Sequence, residues 1–123
     1  GYGAYGMTSS TGFSIVRTAT VRAGFLYAIA HVRGGGELGR RWYEDGKFLK
    51  KPNSFLDLQA CAQGLVSLGR SRAGEITLHG GSAGGLLVTA TMNLNPSLYR
   101  GVIAEVPFTD VLTTMFDETL PLT

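Results

Sequence analysis

The stretch EITLHGGSAGG, residues 75–85 (Glu75 to Gly85), decides how the rest of the chain is read. Its first five residues are β-branched or apolar enough for a short strand. Its second part sets four glycines around one serine within His79–Gly85. Ordering a glycine is entropically expensive, so such a cluster needs a structural reason. Ala83 to Leu94 (AGGLLVTATMNL) then reads as an apolar helix stopped by Asn95-Pro96. Gly80-Gly81-Ser82-Ala83-Gly84 therefore matches G-x-S-x-G between a strand and a helix, the pattern of a nucleophile elbow. There a serine takes strained backbone angles at a sharp turn, and small neighbours let strand and helix pass closely. On this reading Gly80, Gly81, Ala83, Gly84 and Gly85 provide clearance and the Ser82 hydroxyl stands above the sheet edge. The Ala83 N–H, at the helix start, points where an oxyanion would form. The alternative is a glycine-rich turn in which Ser82 only caps the helix.

Working outward, the elements alternate. Gly1 to Gly12 reads as loop, and Phe13 to Ala23 as a short helix ended by Gly24. Phe25 to Val32 (FLYAIAHV) is a continuous apolar run, the pattern of a strand buried on both faces. Arg33 to Pro52 is a long polar, glycine-rich excursion. Asn53 is the expected N-cap of a helix carrying Leu58, Cys61, Leu65 and Leu68 on one face and stopping at Gly69. Gly101 to Val106 (GVIAEV) is a further buried strand, followed by Pro107. This βαβαβ order predicts an α/β fold: a mainly parallel sheet flanked by helices, with ligands at the carboxyl ends of the strands. Ser82 sits at one such end. The 123 residues are read as one piece, with no internal repeat or linker, that opens inside a glycine-rich turn and stops without a closing element.

Composition narrows the function. Hydrophobic residues at 44% and charged residues at 16% describe a globular chain. Eleven basic and nine acidic side chains leave a net charge of +2, too balanced for a nucleic-acid partner, and the basic residues form no stripe. No apolar run approaches the roughly 18 residues of a membrane span, so no membrane partner is expected. No secretory leader is visible, and one cysteine, Cys61, rules out an internal disulfide framework. The single cysteine favours a cytoplasmic, reducing setting. Cys61 is expected as a buried thiol on the helix face. No metal-ligand spacing exists among Cys61, His31 and His79. Gly1-x-Gly3-x-x-Gly6 and Gly34-x-Gly36-x-x-Gly39 both match the dinucleotide fingerprint. The first follows no visible strand, and the second leads into RRWYEDG rather than an apolar helix. No cofactor is predicted.

A serine nucleophile needs a base. His79 lies three residues before Ser82 on the same strand and is poorly placed to reach the hydroxyl. His31 ends the other strand and reads as a packed or hydrogen-bonded core histidine. In the hydrolase order Ser…Asp/Glu…His the acid and base follow the serine, and no histidine follows Ser82. Arg33 and Glu37 are read as an ion pair holding the glycine loop. Trp42 and Tyr43 are read as loop anchors. Asp110 is not assigned to a triad.

The strings AHVRGGGELGRRWYEDGKFLKKPNSF, GGSAGG and GVIAEVPFTDVLTTMFDETLPLT resemble the oligopeptidase B group of the prolyl oligopeptidase family of serine peptidases. The resemblance covers essentially the whole chain. It implies that residues 1–123 are the central part of an α/β-hydrolase catalytic domain that, in the family, lies under a β-propeller. Ser82 matches the catalytic serine. Tyr2, in the turn Tyr2-Gly3-Ala4-Tyr5 before Phe13-Ser14-Ile15-Val16-Arg17, matches the tyrosine whose hydroxyl forms the oxyanion hole with the Ala83 N–H. The family's triad Asp and His lie downstream, as does the acidic pair that selects Arg or Lys at P1. The implied substrates are short peptides cut after Arg or Lys, and the isolated chain is expected to be inactive. The family's bacterial members carry acids before the FS segment that help bind a basic P2 residue; Thr8-Ser9-Ser10-Thr11-Gly12 has none, which implies a weaker P2 preference. An acylaminoacyl-peptidase or carboxylesterase on the same fold, and a non-catalytic binding module, are the alternatives.

Overall fold

The computed structural model describes residues 1–120; the end of the DETLPLT string lies outside them. In chain order the elements are α1 (Ile15–Arg22), α2 (Arg40–Glu44), α3 (Pro52–Ser67), β1 (Ile76–Gly81), α4 (Ala83–Leu94), β2 (Tyr99–Glu105) and α5 (Val111–Phe116). Single 3-10 turns occupy Phe48–Lys50 and Pro96–Leu98.

The decisive part is β1–α4–β2. β1 and β2 pair in parallel, in register from Thr77 opposite Gly101 to Gly81 opposite Glu105. Along β1, Leu78 and Gly80 are buried while Thr77 and His79 are exposed, the period-2 alternation of a strand with one covered face. α4 lies on that face and packs on both strands, and α3 packs on α4. Their apolar faces meet in one core of Val32, Leu58, Ala62, Leu78, Leu87, Val88, Leu98 and Tyr99. Leu87 and Val88 are almost wholly buried. Each such burial contributes about 1.5–3 kcal/mol, which fixes α4 against the sheet. The buried Thr91 hydroxyl donates back to the Leu87 carbonyl, 2.7 Å away, so its polar atom does not disturb the core.

Four expectations need correction. Phe25–Val32 forms no strand: it pairs with nothing among the described residues, and Phe25 and Leu26 are exposed. A strand exists only through its ladder, and among the described residues no segment forms one with this run. Only its end is held in the core, with Val32 buried and Ala30 packed against it. β2 is covered on one face rather than two, with Ile103 and Glu105 exposed. Asn53 does not cap α3. Lys51 is the N-cap, Pro52 opens the helix, and the Asn53 side-chain amide donates instead to the Asp45 carbonyl at 2.9 Å. The stop at Gly69 holds: the Gly69 N–H reaches Val66 O and the Arg70 N–H reaches Leu65 O, with Gly69 at φ 65°. Cys61 is also displaced from its expected place, because Ser54, Leu58 and Ala62 form the buried stripe of α3 and Cys61 lies beside it, exposed.

Candidate active site

Ser82 stands at the joint between β1 and α4 with φ 54° and ψ −119°. A non-glycine residue at positive φ is strained and persists only where its surroundings enforce it. Its backbone is fully engaged. The Ser82 N–H donates to Glu105 O at 2.9 Å, and its carbonyl accepts from Gly85, Leu86 and Phe108 N–H at 2.9, 3.2 and 3.1 Å. Its side chain makes no capping bond to α4, so the helix-cap alternative fails on geometry. The hydroxyl is left without a hydrogen-bond partner among the described residues.

The glycines do different jobs. A Cβ on Gly80 would land on the Gly84 carbonyl, and one on Gly85 would stand 2.6 Å from Pro107 Cα. Gly84 is tight, with Gly1 O at 3.3 Å and Tyr2 Cδ2 at 3.5 Å from such an atom. Gly81 departs from the clearance expected for it: a Cβ there would meet Glu105 only at ordinary contact distances of 3.5 Å and beyond.

The same packing places Tyr2 against the first turn of α4. Its turn is held from several sides. Gly6 N–H donates to Gly34 O at 3.0 Å, Gly36 N–H to Met7 O at 3.2 Å, and the Lys51 ammonium to Gly3 O. Burial pushes the Lys51 ammonium below its ordinary pKa. Tyr5 sits at φ 56° and its ring centroid lies 6.3 Å from that of Tyr2. Gly34 and Gly36 are glycines because a Cβ on either would strike the carbonyls of Gly3 and Gly6. The second dinucleotide fingerprint is thus backbone packed on backbone, followed by the five-residue α2. The G-x-S-x-G pattern pointed to the residues of the elbow and the resemblance to Tyr2, and the fold brings Tyr2, Ser82 and Ala83 to one end of α4. Ala83 N–H and Gly84 N–H, the first two of that helix, are taken by no backbone carbonyl among the described residues.

Several neighbouring pairings differ from expectation. Arg33 does not pair with Glu37. Its guanidinium grips Asp57 with two bonds of 2.8 and 2.6 Å, and its N–H adds a third at 2.9 Å. Burial alone would raise the Asp57 carboxyl, but the Arg33 bonds outweigh it and hold it below the usual carboxylate range. Glu37 instead accepts from Ser9 N–H at 2.9 Å and lies 3.5 Å from His31 Nδ1. His31 is exposed rather than a core residue. His79 Nε2 lies 3.0 Å from Glu105 Oε1 across the open sheet face. Trp42 and Tyr43 do anchor the loop: Trp42 O takes the Gly34 N–H at 3.0 Å, and the Tyr43 ring packs on Gly6 under the Lys47 ammonium. Asp110 caps α5 by accepting from Thr113 N–H at 3.2 Å. Among the described residues no group of three His, Cys, Asp or Glu side chains could hold a metal, and no helix is long and apolar enough to cross a membrane.

The profile of the prolyl oligopeptidase family matches residues 11–123. The chain belongs to that family. Oligopeptidase B from Trypanosoma brucei, solved with covalently bound antipain, superposes with a TM-score of 0.94 at 50% identity, over 100% of this chain and 18% of that one. The Leishmania major enzyme gives 0.93 at 46%, over 99% of this chain and 17% of that one. Among curated relatives, the prolyl endopeptidase-like protein of Rattus norvegicus is 51% identical over 122 residues, 99% of this chain and 17% of that protein. Protease 2 of Moraxella lacunata is 44% identical over 123 residues, 100% of this chain and 18% of that protein. The chain thus spans about a sixth of the length of these family members. Its fold is a part of the α/β-hydrolase fold that such prolyl oligopeptidase enzymes share.

Proposed function

We propose that this chain is the central part of the catalytic domain of a longer serine peptidase of the oligopeptidase B type, with Ser82 as nucleophile. The observation that carries the reading is the strained Ser82, φ 54°, with an uncapped hydroxyl at the joint of a parallel strand and a buried helix. Its Oγ attacks the scissile carbonyl. The carbonyl oxygen becomes an oxyanion that accepts from the Ala83 N–H and the Tyr2 hydroxyl. Lys51, Gly34 and Gly36 hold the Tyr2 turn, and the packing of Leu87 and Val88 holds α4 with its Ala83 N–H, so little reorganisation accompanies the developing charge. The general base and its orienting acid are a His and an Asp elsewhere in the parent protein. Substrates are short peptides cut after Arg or Lys, a preference that rests on similarity to oligopeptidase B and on no residue of this chain. The single cysteine supports a cytoplasmic location.

A fluorophosphonate probe on the full-length parent tests the assignment. Ser82 should be labelled, Ser82→Ala should abolish labelling, and Tyr2→Phe should slow turnover by about 100-fold through kcat, the usual loss for one oxyanion donor. A parent that stays unlabelled at Ser82 sinks the nucleophile reading. An Arg-amide compared with an acylated amino-acid substrate then separates the oligopeptidase B type from an acylaminoacyl-peptidase.

A further inference from the structure

The turn after β2 engages Ser82 on both sides of its backbone. Glu105 O accepts the Ser82 N–H, and three residues later the Phe108 N–H donates to Ser82 O. Between these two groups stands Val106, with φ 38°. A β-branched side chain at positive φ is a genuine outlier. Within these residues no packing of the Val106 side chain compensates for the strain, since it is 86% exposed. What holds it is its neighbours. Pro107 is wedged against Gly85 in the first turn of α4, where only a hydrogen on the glycine Cα leaves room. The Glu105 carboxylate is tied to the His79 ring on β1. The strained Ser82 is thus hydrogen-bonded to Glu105 and Phe108, the two residues that bracket the strained Val106 and Pro107.

We propose that Glu105–Phe108 is a positioning turn for Ser82, with the strained Val106 as the residue that directs both hydrogen bonds. The reading of Ser82 as nucleophile underlies its catalytic meaning. The turn would set the angle at which the hydroxyl leaves the sheet edge, without touching substrate. Val106 in an ordinary extended conformation would release one bond or both and let Ser82 relax.

The full-length parent carrying Val106→Pro, Val106→Gly or Val106→Ala tests this. Proline fixes φ near −65° and cannot adopt the native angle. Val106→Pro should slow fluorophosphonate labelling by about 100-fold, the scale of a small misplacement of a reacting group. It should also expose the Ser82 amide to hydrogen exchange. Val106→Gly, which accepts positive φ freely, should label close to the wild-type rate and melt at or above the wild-type temperature. Wild-type labelling and amide protection in Val106→Pro would overturn the proposal. If Val106→Pro does not fold, the other two decide: strain makes the glycine variant more stable than the alanine one, and an unstrained site reverses that order. If wild type is itself unlabelled, the nucleophile reading fails, while the exchange and melting comparisons still judge the turn.

Discussion

Ser82 and the glycines around it share one backbone turn, yet the space beside each differs. Gly80 faces the Gly84 carbonyl and Gly85 faces Pro107, whereas Gly81 faces open van der Waals distance to Glu105. Gly85→Ala should therefore push Pro107 away and disturb the Phe108 bond to Ser82. Such overpacking typically costs about 1–3 kcal/mol, and it should fall on labelling rate and melting temperature together. Gly81→Ala should change stability by less than about 0.5 kcal/mol. Parallel thermal melts and labelling rates of the two variants check the contrast; equal losses at both positions would refute it. The sequence pattern treated these glycines as equivalent, because a motif gives small residues but not the distance to what lies opposite them. Nor did it flag Val106, since valine has no preference for positive φ and nothing in VPF announces one.

Among the elements, the loop that follows Val32 is pinned to α3 by Arg33 and Asp57, and the same loop holds the Tyr2 turn. Glu37 was the expected partner on nearness in sequence. Asp57 prevails because α3 brings its carboxylate alongside both the guanidinium and the N–H of Arg33, three bonds that no residue within the loop could match. The depressed Asp57 pKa fixes the sign of a pH effect. Its contribution to stability is fully present above the ordinary carboxylate pKa, about 4, and is lost as pH falls through the lowered native value. Asp57→Asn in the full-length parent should cost about 2 kcal/mol at neutral pH. Its deficit in melting temperature against wild type should shrink below about pH 4. A deficit that does not change with pH would show that packing, not the ion pair, is what was lost.

For the molecule as a whole, one sheet face carries α4 and α3 and the other is open. His79, Ile103 and Glu105 lie on the open face, and Phe25, Leu26 and Tyr27 are exposed in a run with no ladder among the described residues. Exposed apolar surface beside unpaired backbone favours association. The 123-residue chain expressed alone should bind a hydrophobic dye and self-associate, and it should not hydrolyse an Arg-amide substrate, since Ser82 has no base within hydrogen-bonding reach among the described residues. Turnover by the isolated chain would overturn the reading that its acid and base lie elsewhere.

The chain's own residues were enough to determine the local elements: helix where small and apolar residues run from Ala83 to Leu94, strand at EITLH, and a serine turn between them. These depend on contacts a few residues apart, which a linear pattern encodes. Which segments become strands, which carboxylate meets Arg33, how much room each glycine has and why Val106 is bent were decided only by the tertiary structure. Each depends on what a distant segment places opposite, and hydrogen bonds and steric clearance act through space rather than along the chain.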